Sequence, residues 1–451
     1  MKGNQVVSTD FPSEELAQLE NPELLPTKTR IMGAFSYFAT WFGGCVCLAT
    51  FATGANLIGA LNFTQAFVAI VIGNVILAVA LVLAGKPGEE YGIPFSVQLR
   101  SSFGFSGSKV PAIMRAIPAL IWFGYQSWIG AVAINTVLDV MFNFNNVVIC
   151  FACFQALQVV LSLKGFSGIK WLENIAAVFL IAMLVYMFYT IRVKFGTEIS
   201  DTIINIEGSW GLPFWAGVTS FLGIFTALVI NVSDYSRNYH KGKHSLVTIL
   251  VYIFGLLPAN VLMGLMGLMM VGATGSYDPV AVFTNAIDNP FVLVVTLFFI
   301  IFSQITTNVL NNMVPPIYIC MDFFKWNFKK SAIVVGILAV ATCPWLLVQP
   351  SSAAGLDLFI HIYAAFLGPI FAVLVVDYFV IYKKKLNINA YYDRKGVYKG
   401  VNWAGIISIC VGAVFSTIFI EISWFVSLIP SGVTYYLLMK KTKMGEKFIP
   451  R

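Results

Sequence analysis

Ser303-Gln304-Ile305-Thr306-Thr307-Asn308-Val309-Leu310-Asn311-Asn312 interrupts an apolar run that extends from about Phe291 to Met321. Of the ten residues just upstream only Thr296 is polar, yet here seven polar side chains arrive together. On a helix they sort into two adjacent lines stepping by four: Ser303, Thr307 and Asn311 on one, Gln304, Asn308 and Asn312 on the other. Polar groups in hydrocarbon are costly unless partnered, so the cluster must face the protein interior, water or a ligand. It reads as a binding helix inside a membrane protein.

The composition agrees. The chain has 451 residues, 58% hydrophobic and 11% charged, with a mean hydropathy of +0.82. Soluble domains carry about 25% charged residues. Twelve apolar spans follow in order, at about 31–59, 65–85, 110–142, 147–163, 171–191, 211–235, 245–272, 291–321, 331–349, 356–382, 401–420 and 423–439. Each is long enough to cross a bilayer. The expected fold is an all-α membrane protein with twelve transmembrane helices. Residues 1–30 hold five acidic residues and no long apolar run, and read as a cytosolic tail rather than a signal peptide. Residues 440–451 read as a second cytosolic tail.

With the N-terminus inside, all basic residues except Arg115, Arg192 and Lys194 fall on the cytosolic side. That asymmetry orients the chain in the plasma membrane with both termini cytoplasmic. The net charge of +7 is therefore a topology signal, and no nucleic-acid partner is expected. The seven cysteines lie in or beside apolar runs and read as reduced, packed thiols. Cys150-x-x-Cys153 has no nearby histidine or carboxylate to complete a metal site.

Two spans look interrupted. The first contains Trp41-Phe42-Gly43-Gly44-Cys45 and later Thr53-Gly54; the sixth contains Phe221-Leu222-Gly223-Ile224-Phe225-Thr226. Glycine at mid-membrane permits a broken helix, although it also serves close packing. Five spans separate the two, and an odd offset inverts the second unit against the first, as in an inverted repeat of residues 31–191 and 211–382 followed by an extra pair at 401–439. The stretch from Gly85 to Gly104 reads as a structured cytosolic connection in which Glu89 and Glu90 pair locally with Lys86. The third span carries Trp122-Phe123-Gly124-Tyr125-Gln126-Ser127-Trp128. Trp122 and Gln126 share one helix face, and an indole one turn from an amide suits a flat, polar, uncharged ring. Packing within the helix bundle is the alternative. Ionisable groups inside the spans are few: Asp234 and Asp377 at cytosolic ends, Arg115 and Asp139 near the ends of the third span, and His361, with Asp357 four residues before it as a local partner.

Taken together, these motifs resemble the nucleobase–cation symporter-1 family. They are Pro94-Phe95 through Arg100-Ser101-Ser102-Phe103-Gly104, the Trp122–Trp128 segment, Ser233-Asp234-Tyr235-Ser236-Arg237, Thr306-Thr307-Asn308 with Asn312, and Val376-Asp377-Tyr378-Phe379. The resemblance implies a LeuT-like five-plus-five inverted-repeat fold with two further C-terminal helices. It implies cation symport of a nucleobase, hydantoin or allantoin by a monomer, with no organic cofactor and no enzymatic activity. Trp122 would stack on the ring and Gln126 would bond its edge. Phe225 stands where the hydantoin transporter has tryptophan, Asn312 matches the substrate-binding asparagine, and Cys47 replaces a glutamine; Gly223 borders the same site. The cation, Na⁺, would bind the carbonyls of Gly43, Val46 and Ser303 and the hydroxyls of Thr306 and Thr307, a set without a carboxylate. Adjacent residues on a helix point about 100° apart, so the two threonines need not share a ligand and each can instead bond back within its own helix. A proton-coupled purine or allantoin permease of the same fold is the alternative, with His361 and Asp234 as proton carriers. An intramembrane enzyme would need a nucleophile–base pair or clustered ligands at depth, and a channel would need pore-lining rings; neither is visible.

Overall fold

The computed structural model describes residues 5–6, 11–240, 245–277, 280, 284, 287, 289–349 and 353–449. The side chains of Asp357 and His361, and with them their expected pairing, lie outside the described residues, as does His244. Long apolar runs become helices because hydrocarbon offers the backbone no partner but itself. Among the described residues, eight helices are long and apolar enough to cross a membrane, nine if one bent pair counts as a span. Val147–Ser162 and Trp403–Ile418 are shorter apolar helices at the expected fourth and eleventh positions. The ninth expected span is divided into Phe328–Val340 and Pro344–Leu347. Cys343 between them takes a left-handed φ of 53°, and Pro344 starts the second piece. The count of twelve therefore rests on shorter pieces at three positions.

The bent pair is the first span. Helix Ala34–Cys45 meets helix Leu48–Ala55 at 52° across Val46-Cys47. The Thr53-Gly54 pair does not interrupt it further. Gly54 is needed for approach: a Cβ there would lie 1.9 Å from the carbonyl oxygen of Gly264 on the seventh span. The sixth span departs from expectation. Helix Leu212–Ile230 runs unbroken through Gly223, and the Thr226 hydroxyl donates back to the Leu222 carbonyl at 2.8 Å. A Cβ on Gly223 would meet only the Ala364 Cβ, at 3.9 Å. Among the described residues no polar side chain from another helix bonds its carbonyls, so the helix keeps its own bonds. It ends at Ile230, and Asn231-Val232 leads into a short turn, Ser233–Ser236.

The second span is longer than expected. Helix Phe63–Tyr91 absorbs Gly85 to Tyr91 and stops at Gly92, whose φ of 70° suits a helix end. Gly88 lets its last turn lie against Ser233 and Ser236, since a Cβ there would sit 2.5 Å from the Ser236 hydroxyl. Lys86 pairs with Glu89 at 2.8 Å, as the local reading expected. Helix Phe95–Gly107 follows, kinked at Gly104, whose φ is 76°. Its first amide, on Phe95, donates to Asp234 Oδ1 at 2.8 Å, which places a carboxylate at a helix N-terminus.

The first, second, sixth and seventh spans pack together, and the third, fourth, eighth and ninth form a second group. The fifth span, Gly165–Lys194, lies between them, touching the first, seventh and eighth. The tenth to twelfth spans pack against one another, and the tenth also packs against the sixth and third. All seven cysteines are free, but Cys153 and Cys410 are exposed on helix surfaces rather than packed.

Candidate functional site

The first-span break frees backbone carbonyls in the interior, where each needs a donor. The Cys45 carbonyl accepts from the Thr50 hydroxyl at 3.0 Å. The others turn to the eighth span. Asn311 Nδ2 donates to the Gly44 carbonyl at 3.0 Å. Thr306 and Thr307 both reach the Gly43 carbonyl at 3.3 Å, and Thr307 also approaches the Val46 carbonyl at 3.4 Å. Thr306 bonds back to the Ser303 carbonyl at 3.1 Å as well. Adjacent threonines thus share one acceptor across helices, because the bend brings the Gly43 carbonyl between them. Gly43, Val46, Ser303, Thr306 and Thr307 converge in a buried cluster of hard oxygen atoms, a donor set that could hold a hard metal cation.

The eighth span is not a uniform α-helix. Pro290–Thr307 passes through a π-helical turn, Asn308–Met313, into Val314–Phe324. Pro315 and Pro316 explain the need. Proline has no N–H to offer and crowds the preceding turn, so carbonyls one turn back are left over. The Tyr235 hydroxyl donates to the Leu310 carbonyl at 2.8 Å, and Arg115 Nη2 donates to the Asn311 carbonyl at 2.8 Å. Arg115 Nε also donates to Asn231 Oδ1 at 2.9 Å. Such π turns recur at functional sites, and helical-wheel reading, which assumes one period, does not reveal them.

Asn308 joins the eighth span to the third and fourth. Its Nδ2 donates to Gln158 Oε1 at 2.9 Å and to the Ser127 hydroxyl at 3.2 Å, with the Phe123 carbonyl at 3.4 Å. Its Oδ1 accepts from Asn312 Nδ2 at 2.8 Å. Trp122 and Gln126 each precede Phe123 and Ser127 by one residue on helix Lys109–Phe142, and both are buried. Gln126 Oε1 is buried with no hydrogen-bond partner among the described residues. The Tyr363 hydroxyl comes near the Trp122 indole and Cys47 but completes no standard hydrogen bond. Cys47 itself lies 3.3 Å from the Thr50 hydroxyl, and Phe225 is buried on the sixth span. Gly223 is set apart: with Thr53, Ser220, Ile224 and Ala364 it borders a cavity of about 180 Å³ at the end of the bundle away from the N-terminal segment.

Sequence reasoning missed three groups. Arg115 was read as a span-end charge, whereas it is buried between two helices. Tyr235 gave no periodic signal. Glu173 was overlooked: it is fully buried on the fifth span, and both carboxylate oxygens lack hydrogen-bond partners among the described residues. A carboxylate inside an apolar run is the available signal. Asp234 and Asp377 are held by structural bonds, Asp377 accepting from Ser101 at 2.5 Å and Tyr435 at 2.6 Å.

A bent helix met by a polar span between two helix groups defines a multi-pass membrane transporter fold. The structure superposes on a nucleobase-cation-symport-1 family transporter in a closed conformation with bromovinylhydantoin bound, with a TM-score of 0.84 at 23% identity over 98% of both chains. It also resembles an outward-open Na⁺-coupled sialic acid symporter, with a TM-score of 0.63 at 13% identity over 90% of each chain. These likenesses concern the fold.

Residues 24–438 match the family model described as permease for cytosine/purines, uracil, thiamine, allantoin. The chain belongs to this nucleobase–cation symporter-1 family. It is 28% identical to a hydantoin permease of Microbacterium maritypicum, over 88% of this chain and 83% of that one. It is 29% identical to an allantoin permease of Bacillus subtilis, over 94% of each, and 28% identical to a purine-uracil permease of Arabidopsis thaliana, over 99% and 82%.

Proposed function

We propose that this permease imports a small flat heterocycle, a pyrimidine-sized nucleobase or a hydantoin- or allantoin-type ring, together with Na⁺ by alternating access. The observation that carries the reading is the convergence of five buried oxygen groups at the first-span break, on the helix that also supplies Asn312. Trp122 and Phe225 bracket the ring, Gln126 and Asn312 bond its rim, and Cys47 borders it, while Gly223 lines the separate cavity beside Ala364. The unpartnered Gln126 Oε1 supports this, since a buried acceptor without a donor costs about 1–3 kcal/mol that a ring N–H would recover. Na⁺ binds the Gly43, Val46 and Ser303 carbonyls and the Thr306 and Thr307 hydroxyls.

Gly43, Val46 and Phe225 belong to one helix group, while Trp122, Gln126, Thr306 and Asn312 belong to the other. Ligands bridging them favour closure by their differential affinity for the two states, with a coupling of about 1–3 kcal/mol. Residues 31–191 and 211–382 act as the two repeats, with 401–439 as an added pair. The protein works as a monomer in the plasma membrane with both termini cytoplasmic. A thermal-shift screen of the purified permease against cytosine, uracil, allantoin, hydantoins and purines, with and without Na⁺, tests this. Stabilisation by one ring that deepens with Na⁺ is expected. Binding that ignores Na⁺ but follows pH would replace sodium by protons, and binding of none of these rings would overturn the substrate class. Counterflow in proteoliposomes separates a carrier, which exchanges internal for external substrate, from a channel.

A further inference from the structure

We infer that the Glu173 carboxylate is the charged member of the cation site, which makes that site anionic rather than a set of neutral oxygens. The inference rests on the sodium reading above and deepens it. Glu173 has no exposed surface, and neither oxygen has a hydrogen-bond partner among the described residues. The neighbouring polar groups are engaged elsewhere: Lys170 Nζ donates to the Ile31 carbonyl at 2.7 Å, and Asn174 Nδ2 to the Ser36 hydroxyl at 3.1 Å. A bare carboxylate in the interior is strongly unfavourable unless a positive charge meets it.

Its direction identifies that charge. A Cβ built on Gly43 would lie 2.1 Å from Glu173 Oε2 and 3.6 Å from the Thr306 Cβ. The carboxylate therefore presses into the notch that glycine leaves, beside the residue whose carbonyl both threonines share. Gly43 is glycine because the carboxylate occupies the place of its side chain. Span five, which carries Glu173, is also the helix packed between the two groups, so a cation attracted here ties all three elements together. A carboxylate within such a set raises cation affinity through ligand charge, and without the cation it strains the site.

The test is a thermal-shift titration of full-length permease with NaCl at fixed pH, with choline chloride keeping ionic strength constant. Wild type should show a saturable sodium response. Glu173→Gln should raise the half-saturating Na⁺ concentration roughly tenfold or more. In sodium-free buffer this variant should melt no lower than wild type, because it removes an uncompensated charge; a residue with a merely structural role would lower that midpoint. Glu173→Asp keeps the charge with a shorter reach and should fall between the two. If the glutamine variant does not fold, Glu173→Met, uncharged and of similar length, takes its place, and that variant titrating with Na⁺ as wild type does would overturn the inference. Glu173→Gln titrating with Na⁺ as wild type does would overturn it while leaving the sodium reading intact. A wild type that binds its heterocycle but ignores Na⁺ would overturn both.

Discussion

Arg115 Nη2 lies 2.8 Å from the Asn311 carbonyl, while its Nε holds Asn231 Oδ1 at 2.9 Å. One planar guanidinium thus ties the end of the sixth span to the π turn of the eighth, across the boundary between the two helix groups. Hydrogen bonds to charged groups contribute about 1.5–3 kcal/mol each. Arg115→Met should therefore release this end of the boundary and leave the Asn311 carbonyl unpaired. The expected result is faster hydrogen–deuterium exchange over 231–237 and 308–316, with exchange over Leu48–Ala55 unchanged, and slower uptake. Arg115→Lys should restore only part, because an ammonium lacks the fork. Unaltered exchange in Arg115→Met would mean that the pair does not hold the boundary.

Thr306 and Thr307 differ in what they share. Both reach the Gly43 carbonyl, but only Thr307 also reaches Val46, whereas Thr306 has the Ser303 carbonyl to fall back on. Thr307→Ala should raise the sodium concentration needed for half-maximal substrate binding by roughly tenfold, the loss of about 1.4 kcal/mol. Thr307→Ser, which keeps the hydroxyl, should stay near wild type. Equal sodium dependence in Thr307→Ala and wild type would remove residue 307 from the ion site.

Gln126 is expected to act on the substrate alone. Its Oε1 has no donor among the described residues, so Gln126→Leu removes a lone acceptor without orphaning a described partner. Melting temperature should be nearly unchanged, and affinity for the heterocycle should fall by about 1–3 kcal/mol, roughly tenfold to a hundredfold. Calorimetry that finds wild-type affinity in the variant would place the ring elsewhere.

Local patterns made part of this legible. Apolar runs placed most of the helices, though not the end of the second or the division of the ninth, and the polar cluster at 303–312 marked the helix that meets the first-span break. What escaped depends on contacts far apart in sequence. Whether a glycine breaks a helix is decided by what arrives to take its carbonyls: Thr306, Thr307 and Asn311 arrive at Gly43–Val46, and no such set arrives at Gly223. The π turn follows from Pro315 together with Arg115 and Tyr235, neither on the same helix. Residues 1–30 read as a cytosolic tail, yet Arg237 binds the carbonyls of Glu23 and Leu25, and Thr27 binds Gly92.

That N-terminal segment should confer an acid-sensitive stability. Glu20 Oε2 meets Arg100 Nη2 at 2.8 Å, and the same nitrogen meets Asp322 at 2.7 Å. Burial pushes the Glu20 carboxyl upward, but Arg100 and Lys325 outweigh it and hold it below the ordinary glutamate value. The folded form is thus the weaker proton binder, so the contribution is complete above the unfolded value and lost as pH falls through the folded one. Glu20→Gln should cost on the order of 3 kcal/mol at neutral pH, with the gap to wild type closing below the glutamate range. A gap that stays constant in melting temperature from neutral to acidic pH would show that the carboxylate charge contributes nothing.

The first and seventh spans make the sharpest packing prediction. A Cβ on Gly54 would lie 1.9 Å from the Gly264 carbonyl oxygen, and one on Gly267 would lie 1.9 Å from the Phe51 carbonyl oxygen. Both obstacles are backbone, which cannot rotate aside as a side chain can. Gly54→Ala and Gly267→Ala should each force the helices apart and cost about 1–3 kcal/mol, with a lower melting temperature in both. Because the two contacts lie along one interface, the double variant should lose less than the sum of the singles, since the first separation already relieves the second. Gly223→Ala is the contrasting case. Its new Cβ meets only the Ala364 Cβ, at 3.9 Å, so stability should hold. A melting temperature that falls as far in Gly223→Ala as in Gly54→Ala would mean that the sixth span is packed as tightly at Gly223 as the first is at Gly54.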